Sequence, residues 1–216
     1  MNKIDTYDTQ IVNPEIEQYL NNLLADDDPL LREMEQLALN MDFPIIGPQV
    51  GRLLYQLTKI SGAKKILELG SGFGYSAYWF SKALNDDGYV ICTEHSEDNH
   101  KIAEKFFKKS EYFNRVRYEK GEALSILDKQ EEQFDIILND IDKEYYPDVI
   151  EIAAEKLKPG GLLITDNMLW FGRVLSDYKT PSTAGVKIFT ELILERKDFM
   201  TTIIPLRDGV AISLKV

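Results

Sequence analysis

The sequence predicts an α/β fold built on a doubly wound, mostly parallel sheet, and three observations carry that prediction. From residue 64 onward, five short β-rich runs alternate with amphipathic stretches of helical period. The first run opens into a glycine-rich turn, Gly70-Ser71-Gly72-Phe73-Gly74, which leads into a helical pattern. The last two runs flank the pair Asp208-Gly209, the mark of an antiparallel hairpin at one sheet edge.

In chain order, Ile16, Leu20, Leu23 and Leu24, then Leu30, Leu31, Met34, Leu37 and Ala38, recur at three- and four-residue spacing. Two amphipathic helices follow, separated by Asp26, Asp27, Asp28 and Pro29, a solvated loop with N-cap character. Pro44, Gly47 and Pro48 punctuate the chain before a third helix over 49–59. Strand candidates lie at 64–69, 89–93, 116–120, 134–138 and 162–165, with helices at 76–84, 97–108, 121–127 and 146–157. A helix over 184–195 precedes the paired runs 199–204 and 210–214. No repeat, low-complexity tract or linker interrupts this order. Residues 1–216 read as one domain, with the helices of 1–60 covering its site.

Composition narrows the function. The chain carries 25 Lys and Arg against 36 Asp and Glu, a net charge of −11. Nucleic acid and anionic membrane are disfavoured partners, because both are bound through clustered cations. No apolar run approaches the ~20 residues that span a bilayer, and Met1-Asn2-Lys3-Ile4-Asp5 lacks a leader pattern. The single cysteine, Cys92, lies in the apolar run Tyr89-Val90-Ile91-Cys92 without an intrachain disulfide partner. A reducing, cytoplasmic setting is expected.

Two groups of residues carry chemistry. The glycine turn follows a strand and opens a helix, where a backbone free of side chains can approach a nucleotide-like ligand. A dinucleotide fingerprint would place its third glycine at the position of Tyr75, one beyond Gly74. Glu68, just before the turn, would repel a pyrophosphate but welcome an ammonium, which favours S-adenosylmethionine. Glu94 ends the second strand, where an acid can accept both ribose hydroxyls. His95 follows it, near ribose or adenine, and Tyr75 is the aromatic nearest the ligand. The second group is Asp140 with Asp142 and Lys143 after the fourth strand, and Asp166-Asn167 after the fifth. Adjacent parallel strands would gather Asp140, Asp166 and Asn167 as hard oxygen ligands, suited to Mg²⁺, with Mn²⁺ and Ca²⁺ as alternatives. Such a site leaves room for two adjacent oxygens of an aromatic diol. Lys143, on the same rim, would accept or stabilise the phenolic proton.

Residues 68–76 (Glu-Leu-Gly-Ser-Gly-Phe-Gly-Tyr-Ser), Asp140-Ile-Asp-Lys143, Lys158-Pro-Gly-Gly161, Asp166-Asn-Met-Leu-Trp170 and Asp208-Gly209 together resemble the cation-dependent O-methyltransferases. This is the family of catechol and caffeoyl-CoA O-methyltransferases and their bacterial relatives. The resemblance implies a Rossmann-like, seven-stranded sheet with helices on both faces and a homodimer. It implies cofactor contacts from Ile46, Glu68, Gly70, Ser71, Ser76, Glu94, Ala123, Asp140 and Asp142, and metal ligation by Asp140, Asp166 and Asn167. Lys143 and Asp140 would be catalytic, and Lys143, Asn167, Trp170 and Phe171 would meet the substrate. The implied reaction is in-line methyl transfer from S-adenosylmethionine to a small catechol-like diol. Phe171, Lys187 and Thr190 depart from the family's usual residues, and all three are expected to border the acceptor pocket.

Three other readings were weighed. Some relatives resembling this chain at Phe43-Pro44-Ile45 and Ile203-Ile204-Pro205 methylate a 5-hydroxyuridine of tRNA. The net charge, and the lack of a basic run over 176–187, stand against that substrate. A cofactor-binding module without turnover fits poorly with the intact set Asp140, Lys143, Asp166 and Asn167. A nicotinamide oxidoreductase fits poorly with Glu68 and the missing third glycine.

Overall fold

The computed structural model describes residues 9–24, 27–177 and 180–216, so the sequence readings for Met1 to Asp5 and for Asp26 lie outside it. Eight α-helices and seven strands appear among the described residues in this order: α1 Pro14–Leu23, α2 Pro29–Met41, α3 Gly47–Ser61, β1 Lys65–Leu69, α4 Tyr75–Ala83, β2 Tyr89–Glu94, α5 Glu97–Lys109, β3 Val116–Lys120, α6 Ala123–Lys129, β4 Phe134–Asn139, α7 Tyr146–Lys156, β5 Leu157–Thr165, α8 Pro181–Glu195, β6 Phe199–Ile204 and β7 Val210–Lys215. The strands form one sheet in the order β3-β2-β1-β4-β5-β7-β6. All pairings are parallel except those of β7, which runs antiparallel to both β5 and β6. This is the doubly wound, seven-stranded architecture expected from the sequence.

The sheet separates two hydrophobic clusters because side chains alternate between its faces. Ile66, Ile136, Leu138, Leu162 and Ile164 face α2 to α5. Leu67, Leu69, Ile137 and Leu163 face α6 to α8. Strands that bury both faces read as continuous apolar runs, which is why β1, β4 and β5 were visible without alternation.

α8 begins at Pro181, ahead of the expected start at residue 184, and β5, the hairpin and Asp28 also depart from expectation. β5 begins at Leu157 and runs through Lys158-Pro-Gly-Gly161, with a register shift between Phe134 and Ile136 absorbing the irregularity. The hairpin pairs Ile204 with Val210, so residues 205–209 form a five-residue loop in which Arg207 (φ 53°) and Gly209 (φ 87°) are left-handed. Asp28 is held rather than solvated. It caps α2 through the Leu30 N–H at 3.0 Å and accepts a hydrogen bond from the Tyr78 hydroxyl at 3.1 Å.

Candidate active site

Strand order reverses between β1 and β4, and the crevice outside the carboxyl ends of the strands opens at that point. Pairing continues one residue past the strand ends. The Asp140 N–H donates to the Leu69 carbonyl at 3.0 Å, and the Asp166 N–H to the Asn139 carbonyl at 3.2 Å. Register alone therefore sets Gly70, Asp140 and Asp166 side by side on one rim. Gly70 is left-handed (φ 83°), and a Cβ there would strike the Asp140 carbonyl. No other residue fits this position.

The loop below the rim is tied to β2. Ser71 N–H donates to the Thr93 carbonyl at 2.9 Å, and Gly70 N–H to the Thr93 hydroxyl at 3.2 Å. Gly74 then opens α4, with its own N–H on the Ser71 carbonyl at 2.8 Å. Ser71, Ser76, Tyr75, Gly70 and Ile46 line a cavity of about 870 Å³ together with Glu94, His95, Ala123 and Asp142. Glu68 does not line it. Its place in β1 aims the carboxylate into the sheet face under α4, where it is fully buried and accepts a hydrogen bond from the Ser76 hydroxyl. Its second oxygen has no partner, and burial pushes the carboxyl up to about 7. Glu68 therefore underlies the glycine loop and does not face the cavity.

Glu94 is buried at the end of β2 and accepts from the Ser96 N–H at 2.7 Å and from the Asn99 amide at 3.3 Å. Asn99, at the start of α5, shares the cavity wall and was missed, because one asparagine in a polar helix start carries no sequence signal. His95 lies on the wall but is largely exposed, its Nδ1 at 3.5 Å from Glu94. Tyr75 directs its hydroxyl away to Glu35 on α2, at 2.6 Å.

On the acidic rim, the Lys143 ammonium donates to Asp140 Oδ1 at 2.9 Å and to the Ile141 carbonyl at 3.1 Å. Asp166 is buried, its Oδ1 lacks any hydrogen-bond partner, and burial with the neighbouring Asp140 charge raises its pKa. Asn167 (φ 56°) donates its amide to Asp208 Oδ2 at 3.3 Å. Asp208 also accepts the Phe171 N–H, while its carbonyl takes the Leu169 N–H at 2.9 Å. The buried Asp208 thus clamps the segment carrying Asn167, Trp170 and Phe171, three non-glycine residues all held left-handed. From sequence Asp208 reads as part of a turn and of the family motif, but not as a clamp, since its partners are about forty residues away. Trp170 and Phe171 present rings 5.6 Å apart to the cavity. Lys187 and Thr190 do not border it. Lys187 donates to the Ser176 carbonyl and Thr190 to its own helix, so only Phe171 among the three departures touches the pocket.

Among the described residues no three His, Cys, Asp or Glu side chains form a metal cluster. The candidate set here is two carboxylates and one amide.

Residues 21–216 match the sequence model of the O-methyltransferase family. The chain belongs to that family. A catechol O-methyltransferase from Niastella koreensis is 30% identical over 92% of this chain and 96% of its own length. Caffeoyl-CoA O-methyltransferase 1 from Eucalyptus globulus is 28% identical, covering 86% of this chain and 81% of its own. The crystal structure of the O-methyltransferase from Bacillus cereus in complex with SAH superposes with a TM-score of 0.85 at 29% identity, covering 94% and 97% of the two chains. The fold and enzyme class expected from the motifs are thus those of the O-methyltransferases. No helix among the described residues of this O-methyltransferase is long and apolar enough to cross a membrane.

Proposed function

We propose that this O-methyltransferase moves the methyl group of S-adenosylmethionine to a hydroxyl of a small catechol-like diol, with a divalent cation, Mg²⁺ first, at Asp140, Asp166 and Asn167. The observation that carries the reading is the orphaned, buried Asp166 Oδ1 beside the Asp140 carboxylate. Two adjacent acids with an unsatisfied oxygen fit a hard cation, and the Asn167 amide adds a neutral oxygen of the same class. When bound, such a cation would hold two adjacent substrate oxygens and favour the ionised form of one.

The chain's own residues supply the rest. Lys143, paired with Asp140 at 2.9 Å, stands on the rim where it would accept the phenolic proton or stabilise the ionised hydroxyl. Trp170 and Phe171 offer aromatic faces for a planar ring. The glycine loop and Glu94 bind the donor on the same wall, so the two reactants share one cavity and transfer becomes a matter of position. A cytoplasmic setting and a homodimer belong to this reading, supported by the buried thiol of Cys92 and by exposed Ile16, Tyr19 and Leu23 on α1. A monomer in sedimentation would remove the dimer alone.

The deciding experiment is transfer from labelled S-adenosylmethionine to a panel of catechols and hydroxycinnamates, with Mg²⁺ or EDTA, beside Asp140→Ala. Metal-dependent product is expected, falling at least ~100-fold in the variant. No transfer to any diol, with cofactor still bound in calorimetry, would overturn the reading.

A further inference from the structure

The loop between β6 and β7 places a cation on the cavity wall that the acidic rim does not use. Arg207 is half-buried there and makes no hydrogen bond or ion pair with any described residue, so its guanidinium donors have no acceptor among the described residues. Its charge is felt by Asp166 and Asp208, yet Asp208 is already bonded to the Phe171 N–H and the Asn167 amide.

The position is held at a cost. Arg207 is left-handed at φ 53°, a conformation that L side chains rarely adopt. The loop cannot relax around it, because Leu206 N–H bonds the Ile204 carbonyl at 2.8 Å and Gly209 N–H bonds the Leu206 carbonyl at 2.9 Å. Met168 N–H adds a third tie, to the Gly209 carbonyl at 2.9 Å. The arginine stem lies over Gly47, where a Cβ would sit 3.7 Å from Cδ and Nε. A planar guanidinium with open donors, carried on a backbone held in this way, is shaped for bidentate pairing with a carboxylate. Phe43, Ile45, Trp170 and Phe171 line the same cavity and offer surfaces for an aromatic ring.

We propose that Arg207 is a specificity-determining residue that selects an acceptor bearing a carboxylate, so that the substrate class is a carboxylated aromatic diol such as a dihydroxybenzoate or dihydroxycinnamate. This rests on the diol reading above. In a chain of net charge −11, a further cation on the cavity wall favours the entry of an anionic acceptor.

The test compares 3,4-dihydroxybenzoate, its methyl ester and unsubstituted catechol, using the full chain with S-adenosylmethionine and Mg²⁺. The wild type is expected to prefer the acid to the ester by about tenfold or more in kcat/KM, mostly through KM. Arg207→Met brings that ratio close to one, and Arg207→Lys keeps part of it because an ammonium attracts without a fork. Arg207→Gly, whose backbone suits the left-handed turn, loses the ratio while keeping the fold, which guards against a folding defect in the methionine variant. Calorimetry gives a readout without turnover: 4-methoxybenzoate binding weakens about tenfold in Arg207→Met, and 4-methoxybenzamide binding does not change. Equal use of acid and ester by the wild type, or equal losses on both in Arg207→Met, overturns the assignment. Failure on all three acceptors, catechol included, overturns the diol reading and this assignment with it.

Discussion

Glu68 is a carboxylate with no solvent face, and its protonation belongs to the fold. Its pKa stands at about 7 when folded against 4.5 ordinarily. Between those values the folded chain holds a proton that the unfolded chain has released, so this group's contribution to stability falls as pH rises through the window. The full swing is of order 3 kcal/mol. Glu68→Gln, which cannot ionise, is expected to melt progressively higher than wild type as pH moves from 5 to 8 in cofactor-free protein. A constant difference in Tm across that range would mean the carboxyl is ionised throughout. At this scale the sequence was most legible where chemistry and chain neighbourhood coincide. Glu94, Asp140 and Asp166 each stand at or one residue past a strand end, where the strands converge on one rim, and Glu68 lies one residue inside the end of β1. Asp208 was legible as part of the Asp208-Gly209 motif but not as a clamp, because its bonds to Asn167 and Phe171 depend on a loop folding back, and Arg207 carries no local signal.

Among the elements, α8 positions the rim through a glycine. A Cβ at Gly185 would collide with the carbonyl of Lys143, in the 3-10 turn Lys143–Tyr145 that holds the catalytic candidate. At Gly51, in α3, a Cβ would instead collide with the Trp79 ring on α4, away from the rim. Overpacking of this kind costs about 1–3 kcal/mol or more, so both alanine variants are expected to lose thermal stability. Only Gly185→Ala should also lose turnover at a temperature where both remain folded, and equal activities would detach Lys143 from α8. The long helices and strands were readable from their periods. The 3-10 turns Phe113–Arg115 and Lys143–Tyr145 and the kinked segment Trp170–Leu175 were not, since three to six residues leave no period to detect.

Over the whole molecule, burial is uneven. Helix α1 has no buried residue and is attached through the Gln49 amide to Asn21 and the Arg52 guanidinium to the Leu24 carbonyl. Hydrogen exchange should find its amides opening locally, while β1, β4 and β5 exchange only with global unfolding. Protection of α1 equal to that of β4 would place it in the same cooperative unit. The sheet order has a further consequence for biosynthesis. β7 is the last of the seven strands to be made, yet it lies between β5 and β6 and brings Asp208 to the rim. A growing chain therefore carries both rim aspartates on finished strands while the flank of β5 stays unpaired, a template for association with other chains. Catalytic competence would arrive abruptly, with the final insertion, and not grow with chain length.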